Sequence, residues 1–174
     1  MAYHGVLIPE AISATNVDSY NRSAISSASP IDNGNVFALV SKSVTAGESE
    51  VWAVTAASAL NNLWMAYASD EVVITDARYK GLDPDPRNFF TPAGKVFSSY
   101  KPDVGDIILV TADAISGSGA FLNATAGSLK LTGGASQTAS ALSYRYIKTT
   151  YISLATGAMD SQRITAYEYE CIAN

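Results

Sequence analysis

The sequence predicts a mainly β protein, an antiparallel β-barrel or β-sandwich with an extended N-terminal arm and long ordered loops. Three features point there. Short runs rich in β-branched and aromatic residues are separated by turn-forming clusters. Residues Arg163 to Cys171 alternate with a two-residue period. Sustained helical spacing is hard to find, with only Ala56–Asn61 and Thr138–Leu142 offering a turn or two.

The chain has 174 residues, enough for one domain or one domain plus an arm. Residues 1–34 differ in texture from 35–174, which form a single β-rich domain in this division. The first segment holds a short apolar run, Gly5-Val6-Leu7-Ile8, then Pro9 and a Ser/Ala/Asn-rich stretch ending at Asp32-Asn33-Gly34. Two descriptions fit it: an arm lying on a neighbouring subunit, or an edge strand followed by a surface loop.

From Asn35 the elements follow in order. Val36–Val40 and Glu50–Val54 flank a turn around Ala46-Gly47-Glu48 and form a predicted hairpin. Leu63–Tyr67 and Glu71–Ile74 form another pair of strands. Trp52 and Trp64 fall inside these runs and are expected as core anchors. Residues 78–106 hold four of the six prolines, which predicts an ordered loop with a short strand near Lys95–Phe97. Gly105-Asp106 opens Ile107–Thr111, the clearest strand in the chain. Weaker strands are expected at Asn123–Thr132 and Tyr144–Ile147, separated by the Gly/Ser-rich stretch 133–140. In the C-terminal strand Thr165, Tyr167, Tyr169 and Cys171 share one face, and Ile164, Ala166, Glu168 and Glu170 the other, wetter one.

Composition excludes several functions. The net charge is −5 and the 11 basic residues are scattered, which argues against a nucleic-acid partner because counterion release needs clustered Lys and Arg. No apolar stretch is long enough for a spanning helix, so no membrane is expected. The opening Met1-Ala2-Tyr3-His4-Gly5 lacks a positive n-region and a long apolar h-region, which predicts no secretion signal and synthesis in the cytoplasm. Mean hydropathy is +0.11, which favours folding. Charged residues make up only 16%; either much of the surface faces other protein, or Ser and Thr hydroxyls solvate it.

Chemistry is sparse. The single histidine, His4, falls in the expected N-terminal tail, so no ordered imidazole is expected to activate a serine or cysteine nucleophile. One His and one Cys, distant in sequence, do not make a zinc site. Cys171, in a strand pattern, is expected as a small core residue rather than a reactive thiol. In Asp83-Pro84-Asp85-Pro86 each acid precedes a proline, which suits a rigid turn whose carboxylates cap backbone amides. The alternative is a Ca²⁺ site with oxygen ligands from Asp83, Asp85 and Asn88. No glycine pattern matches a phosphate loop, and Gly117-Ser118-Gly119 and Gly133-Gly134 are expected as flexible tips. The 10 tyrosines crowd the C-terminal third as Tyr144, Tyr146, Tyr151, Tyr167 and Tyr169. They fit a sugar- or protein-binding platform and equally fit strands in a core. No catalytic residue and no cofactor is expected.

Several segments resemble a family of small virion proteins, the head decoration proteins of tailed bacteriophages. They are Gly5-Val6-Leu7-Ile8-Pro9-Glu10, Ile31-Asp32-Asn33-Gly34-Asn35-Val36, Tyr79-Lys80-Gly81-Leu82-Asp83-Pro84-Asp85-Pro86-Arg87-Asn88-Phe89 and Tyr100-Lys101-Pro102-Asp103-Val104-Gly105-Asp106-Ile107-Ile108. The resemblance covers most of the chain as overall texture, without a diagnostic motif. It implies a protein on the capsid exterior that bridges major capsid protein subunits and stabilises the shell, alongside further copies of itself. It supplies no catalytic residues.

Two segments are the expected docking elements. The first, with Tyr3, Val6, Leu7, Ile8 and Ile12, offers backbone for strand addition. The second, with Leu82, Pro84, Pro86, Phe89 and Phe90, offers a stiff apolar knob. Rival functions are a head-fibre or carbohydrate-binding adhesive module, and a tail-tube or connector component that would form rings.

Overall fold

A computed structural model describes residues 3–42, 50–68, 85–157 and 160–174. The protein is mainly β: a closed barrel packs on a seven-stranded sheet. In chain order the strands are β1 (Leu7–Ala11), β2 (Asn21–Ile25), β3 (Val36–Lys42), β4 (Val51–Thr55), β5 (Trp64–Ala66), β6 (Val96–Tyr100), β7 (Ile107–Thr111), β8 (Ile115–Ser116), β9 (Phe121–Asn123), β10 (Leu131–Gly134), β11 (Ser143–Gly157) and β12 (Asp160–Ala173). The barrel closes in the order β2-β4-β3-β5-β6, and the sheet runs β1-β7-β12-β11-β9-β10-β8.

Most pairings are antiparallel, as the sequence leads one to expect. Two are parallel, β2 with β4 and β8 with β10. The predicted hairpin of β3 and β4 forms, with Ala38 opposite Thr55 and Leu39 opposite Val54. The expected strand at Glu71–Ile74 lies outside the described residues.

The N-terminal segment is woven into both halves rather than reaching away from them. β1 is an edge strand paired with β7, and β2 helps to close the barrel. Gly5 is what lets the chain run in beside Ala114: a Cβ there would stand 2.6 Å from the Ala114 Cα.

The core lies mostly between barrel and sheet. Leu7, Ile108, Val110, Leu122, Tyr144, Tyr169 and Cys171 from the sheet meet Val36, Met65 and Tyr100 from the barrel. The Tyr100 hydroxyl donates to Met65 Sδ at 3.1 Å, so the largest polar group at this junction is satisfied. A smaller cluster of Ala24, Ile31, Phe37, Ala66 and Phe97 fills the barrel. The tryptophans are not its anchors. Trp64 packs partly buried against that cluster and Trp52 is half-buried, because their strands are short and leave a bulky indole at the rim.

Helix is absent from the described residues apart from 3₁₀ turns at Ser13–Asn16, Asp18–Tyr20, Pro86–Asn88 and Ala112–Ala114. Ala56–Asn61 and Thr138–Leu142 are bends and turns, not helix. The weak expectation for 123–132 resolves into β9, a turn and β10. Gly119 and Gly133 are not free tips. A Cβ on Gly119 would lie 2.5 Å from the Gly134 carbonyl oxygen and one on Gly133 2.6 Å from that of Gly117, so glycine permits two backbones to pack face to face.

Candidate docking surface

Arg87 organises one corner of the molecule. The turn that carries it begins at Asp85, whose Oδ1 accepts from the Arg87 backbone amide at 3.0 Å and so caps the 3₁₀ turn. The same carboxylate takes the guanidinium as a fork, with Nε at 2.9 Å from Oδ1 and Nη2 at 2.7 Å from Oδ2. Both side chains are buried. Hydrogen bonding from that guanidinium holds the Asp85 carboxyl below the usual carboxylate range, against the opposing effect of desolvation.

The two expected docking segments meet here. The Arg87 guanidinium lies 4.0 Å from the centre of the Tyr3 ring. The His4 backbone amide donates to the Arg87 carbonyl at 2.7 Å, and the His4 ring stacks on Phe90 with centroids 4.6 Å apart. His4 Nδ1 is 2.7 Å from Asp32 Oδ1. The paired backbone of Ile31 and Thr91 ties the corner to the barrel. Tyr3 and Phe90 remain 46% and 39% exposed, two aromatic side chains projecting from a braced base.

The other expected docking residues separate. Val6 and Leu7, at 2% and 0% exposed, are core: both pack behind β1, so they present nothing to a partner. Ile8 faces outward from β1. Ile12 lines an open groove of about 680 Å³, with Glu10, Asn16, Tyr67 and Val104 in its wall. Pro86 and Phe89 are half-buried at the turn. Leu82 and Pro84 lie outside the described residues.

Strand addition at β1 is opposed by the strand itself. Pro9 has no amide to donate, the register shifts between Pro9 and Ala11, and Glu10 adds a charge. These three devices blunt an edge.

For the Ca²⁺ alternative, both Asp85 oxygens already face Arg87, and Asp83 lies outside the described residues. Asn88 closes the turn, its amide donating to the Asp85 carbonyl. No group of three or more His, Cys, Asp or Glu residues that could hold a metal occurs among the described residues.

The histidine expectation needs correction. His4 is not in a loose tail: its ring is oriented by a carboxylate and a stacked aromatic, because Asp32 and Phe90 are brought to it by the fold. Its described contacts are with Asp32, Phe90 and the Arg87 carbonyl. Cys171 is buried in the core, and burial pushes its thiol up to about 12.

The tyrosines divide. Tyr144 and Tyr169 are core, while Tyr146 and Tyr151 are exposed. Tyr146, Tyr167 and Tyr169 line a shallow cleft of about 310 Å³ with Ser118 and Thr149. The face expected to be wetter is not: Ala166 and Glu168 are buried and Glu170 is half-buried, and both acids are ion-paired across the strands, with Lys148 at 3.0 Å and Arg145 at 2.6 Å.

No helix among the described residues is long and apolar enough to cross a membrane. The cap at Asp85 was legible from the sequence, but the contact of His4 with Asp32 was not, since the two stand 28 residues apart and no local pattern links them. No protein-family model matches this chain, and neither a curated protein nor a solved structure matches it.

Proposed function

We propose that this chain is a virion structural protein that decorates the outer surface of a tailed-phage capsid and stabilises the shell by bridging major capsid protein subunits. One observation carries the proposal. Tyr3 and Phe90 project from a corner whose base is fixed by the Asp85–Arg87 fork, so little ordering is needed when a partner covers them. Exposed aromatics on a rigid support are what an interface centre uses. The low charged fraction, 16%, suits a surface that meets other protein. Many copies on one shell make modest affinity per copy sufficient. In this role the chain binds and braces and makes or breaks no covalent bond.

The test uses shells of the virus that encodes the chain. Full-length protein is mixed with expanded and unexpanded shells and bound copies are counted after sedimentation. Occupancy of expanded shells is expected, falling at least about tenfold for the double substitution Tyr3→Ala, Phe90→Ala, since anchors at an interface are each worth ~1–2 kcal/mol or more. Wild-type protein that leaves the shells bare would refute the proposal.

A second reading, an adhesive module, is favoured by the tyrosine cleft. Its wall carries hydroxyls and rings and no carboxylate or ammonium, which suits a neutral sugar face. Saturable binding on a glycan array that Tyr146→Ala abolishes, without shell binding, would select it.

A further inference from the structure

We propose that the free edge of β11, residues 147–154, is where a second copy of this chain docks, by antiparallel strand addition about a two-fold axis near Tyr151. β11 and β12 are much longer than the sheet that holds them, at 15 and 14 residues. β9 covers β11 only from Ser143 to Arg145, and β7 covers β12 only from Ala166 to Glu170. The last described backbone bond on the β9 side is from the Tyr146 amide to the Ala120 carbonyl. Beyond it no described strand but β12 pairs with β11, and past the end of β7 at Ala166 the two strands pair, among the described residues, only with each other, from Tyr151 opposite Thr165 out to Gly157 opposite Asp160. A two-stranded ribbon is marginal in water, and a row of unpaired amides and carbonyls is a template for another strand.

The edges of this protein are not alike. β1 is blunted by Pro9, Glu10 and a bulge. β8, at the far side of the sheet, has only 2 residues. On the outer side of β12 the two-stranded ribbon is backed by the corner, where Arg87 Nη2 reaches Gln162 Oε1 at 3.4 Å. The β11 edge has register shifts only near its two ends, between Tyr146 and Lys148 and between Ala155 and Gly157, and from Thr149 to Leu154 it carries neither a bulge nor a charge. Its sequence, Ile147-Lys148-Thr149-Thr150-Tyr151-Ile152-Ser153-Leu154, has no proline, glycine or acid and is rich in β-branched residues. Ile147 and Tyr151 are 41% and 54% exposed.

The occupant follows from charge and self-complementarity. On a chain of net charge −5 this segment bears only Lys148, so two copies meet here without carboxylate repulsion. Parallel pairing would set one Lys148 ammonium beside the other. Antiparallel pairing centred on Tyr151 places each Lys148 opposite Leu154 and separates the two ammoniums by about 20 Å. It also pairs Thr150 with Ile152 and each Tyr151 with its counterpart. A register that complements itself is what a two-fold axis requires, and it closes, leaving a four-stranded ribbon in place of two isolated hairpins. This inference is independent of shell binding.

Sedimentation equilibrium of the full chain over a concentration series tests it. A monomer–dimer equilibrium is expected. Tyr151→Lys places like charges face to face at the axis and raises the dissociation constant at least about tenfold, as does Tyr151→Glu; mixing the two variants restores the dimer. The Tyr151 ring carries the Arg163 guanidinium at 4.1 Å, so circular dichroism at concentrations where the wild type is monomeric checks that each variant is folded, and amide exchange at 147–154 slows with concentration in the wild type only. Wild-type protein that stays monomeric, a dimer indifferent to Tyr151→Lys, or exchange at 147–154 that ignores concentration would each overturn the proposal.

Discussion

Asp85 and Arg87, two residues apart, form a buried carboxylate–guanidinium fork in which the acid also caps the turn carrying its own partner. The pair is local, yet its outer surface supports Tyr3 and reaches Gln162. Removing either member breaks a buried fork of charge-assisted hydrogen bonds. Arg87→Ala is expected to lower stability by about 3–5 kcal/mol in urea unfolding at neutral pH. Tyr3 loses its support at the same time, so shell occupancy falls even where the variant remains folded.

The pH dependence of that pair has a definite sign. The Asp85 carboxyl is lowered in the folded protein, chiefly by hydrogen bonds from Arg87. Its contribution is therefore present above the unfolded carboxyl range, about 3.9, and is lost as pH falls through the lower folded value. The stability gap between wild type and Asp85→Ala, measured by urea unfolding at pH 7 and below pH 3, is expected to narrow on acidification. A gap that stays constant would mean the carboxylate is not what the turn depends on.

Gly5 offers a test of how the N-terminal segment is held. The 2.6 Å approach of a Cβ to the Ala114 Cα leaves no room for alanine unless the segment lifts from the neighbouring chain. Gly5→Ala is expected to destabilise by about 1–3 kcal/mol, the range of overpacking. Protease cleavage near residues 3–6 should rise with it. Val6 and Leu7, both buried, are pulled from the core by the same shift, which adds to the loss.

How much of this was visible in the sequence depends on whether a residue's role is set by its neighbours along the chain. Ile107–Thr111 is a strand at the positions its β-branched run indicates, and the Val36 and Val51 runs pair as a hairpin. The cap at Asp85 was equally legible, since an acid before proline encodes its own turn. The length of β11 was not. Thr149, Thr150 and Ser153 lie on a ribbon exposed on much of its surface, where no core enforces apolar–polar alternation. His4 looked like tail because Asp32 and Phe90 reach it only through the closure of the barrel. Gly119 and Gly133 looked flexible because close backbone packing leaves no signature apart from the glycine itself.

Cys171 and the buried tyrosines make the last prediction, at alkaline pH. Burial raises the Tyr100, Tyr144 and Tyr169 hydroxyls above their ordinary value and pushes the Cys171 thiol up to about 12. In the unfolded chain these groups release protons near pH 8.5–10. The folded state thus holds protons that the unfolded state has lost, and stability is retained below that range and declines as pH rises through it. In native protein at pH 8 the thiol should resist a disulfide reagent and react fully in urea. The phenolate absorbance should rise in two stages, with Tyr100, Tyr144 and Tyr169 ionising only in the second, as the fold opens. A single stage complete below pH 11, with circular dichroism unchanged, would show that the junction between barrel and sheet admits water and is not the dry core that Met65, Tyr100 and Tyr144 make.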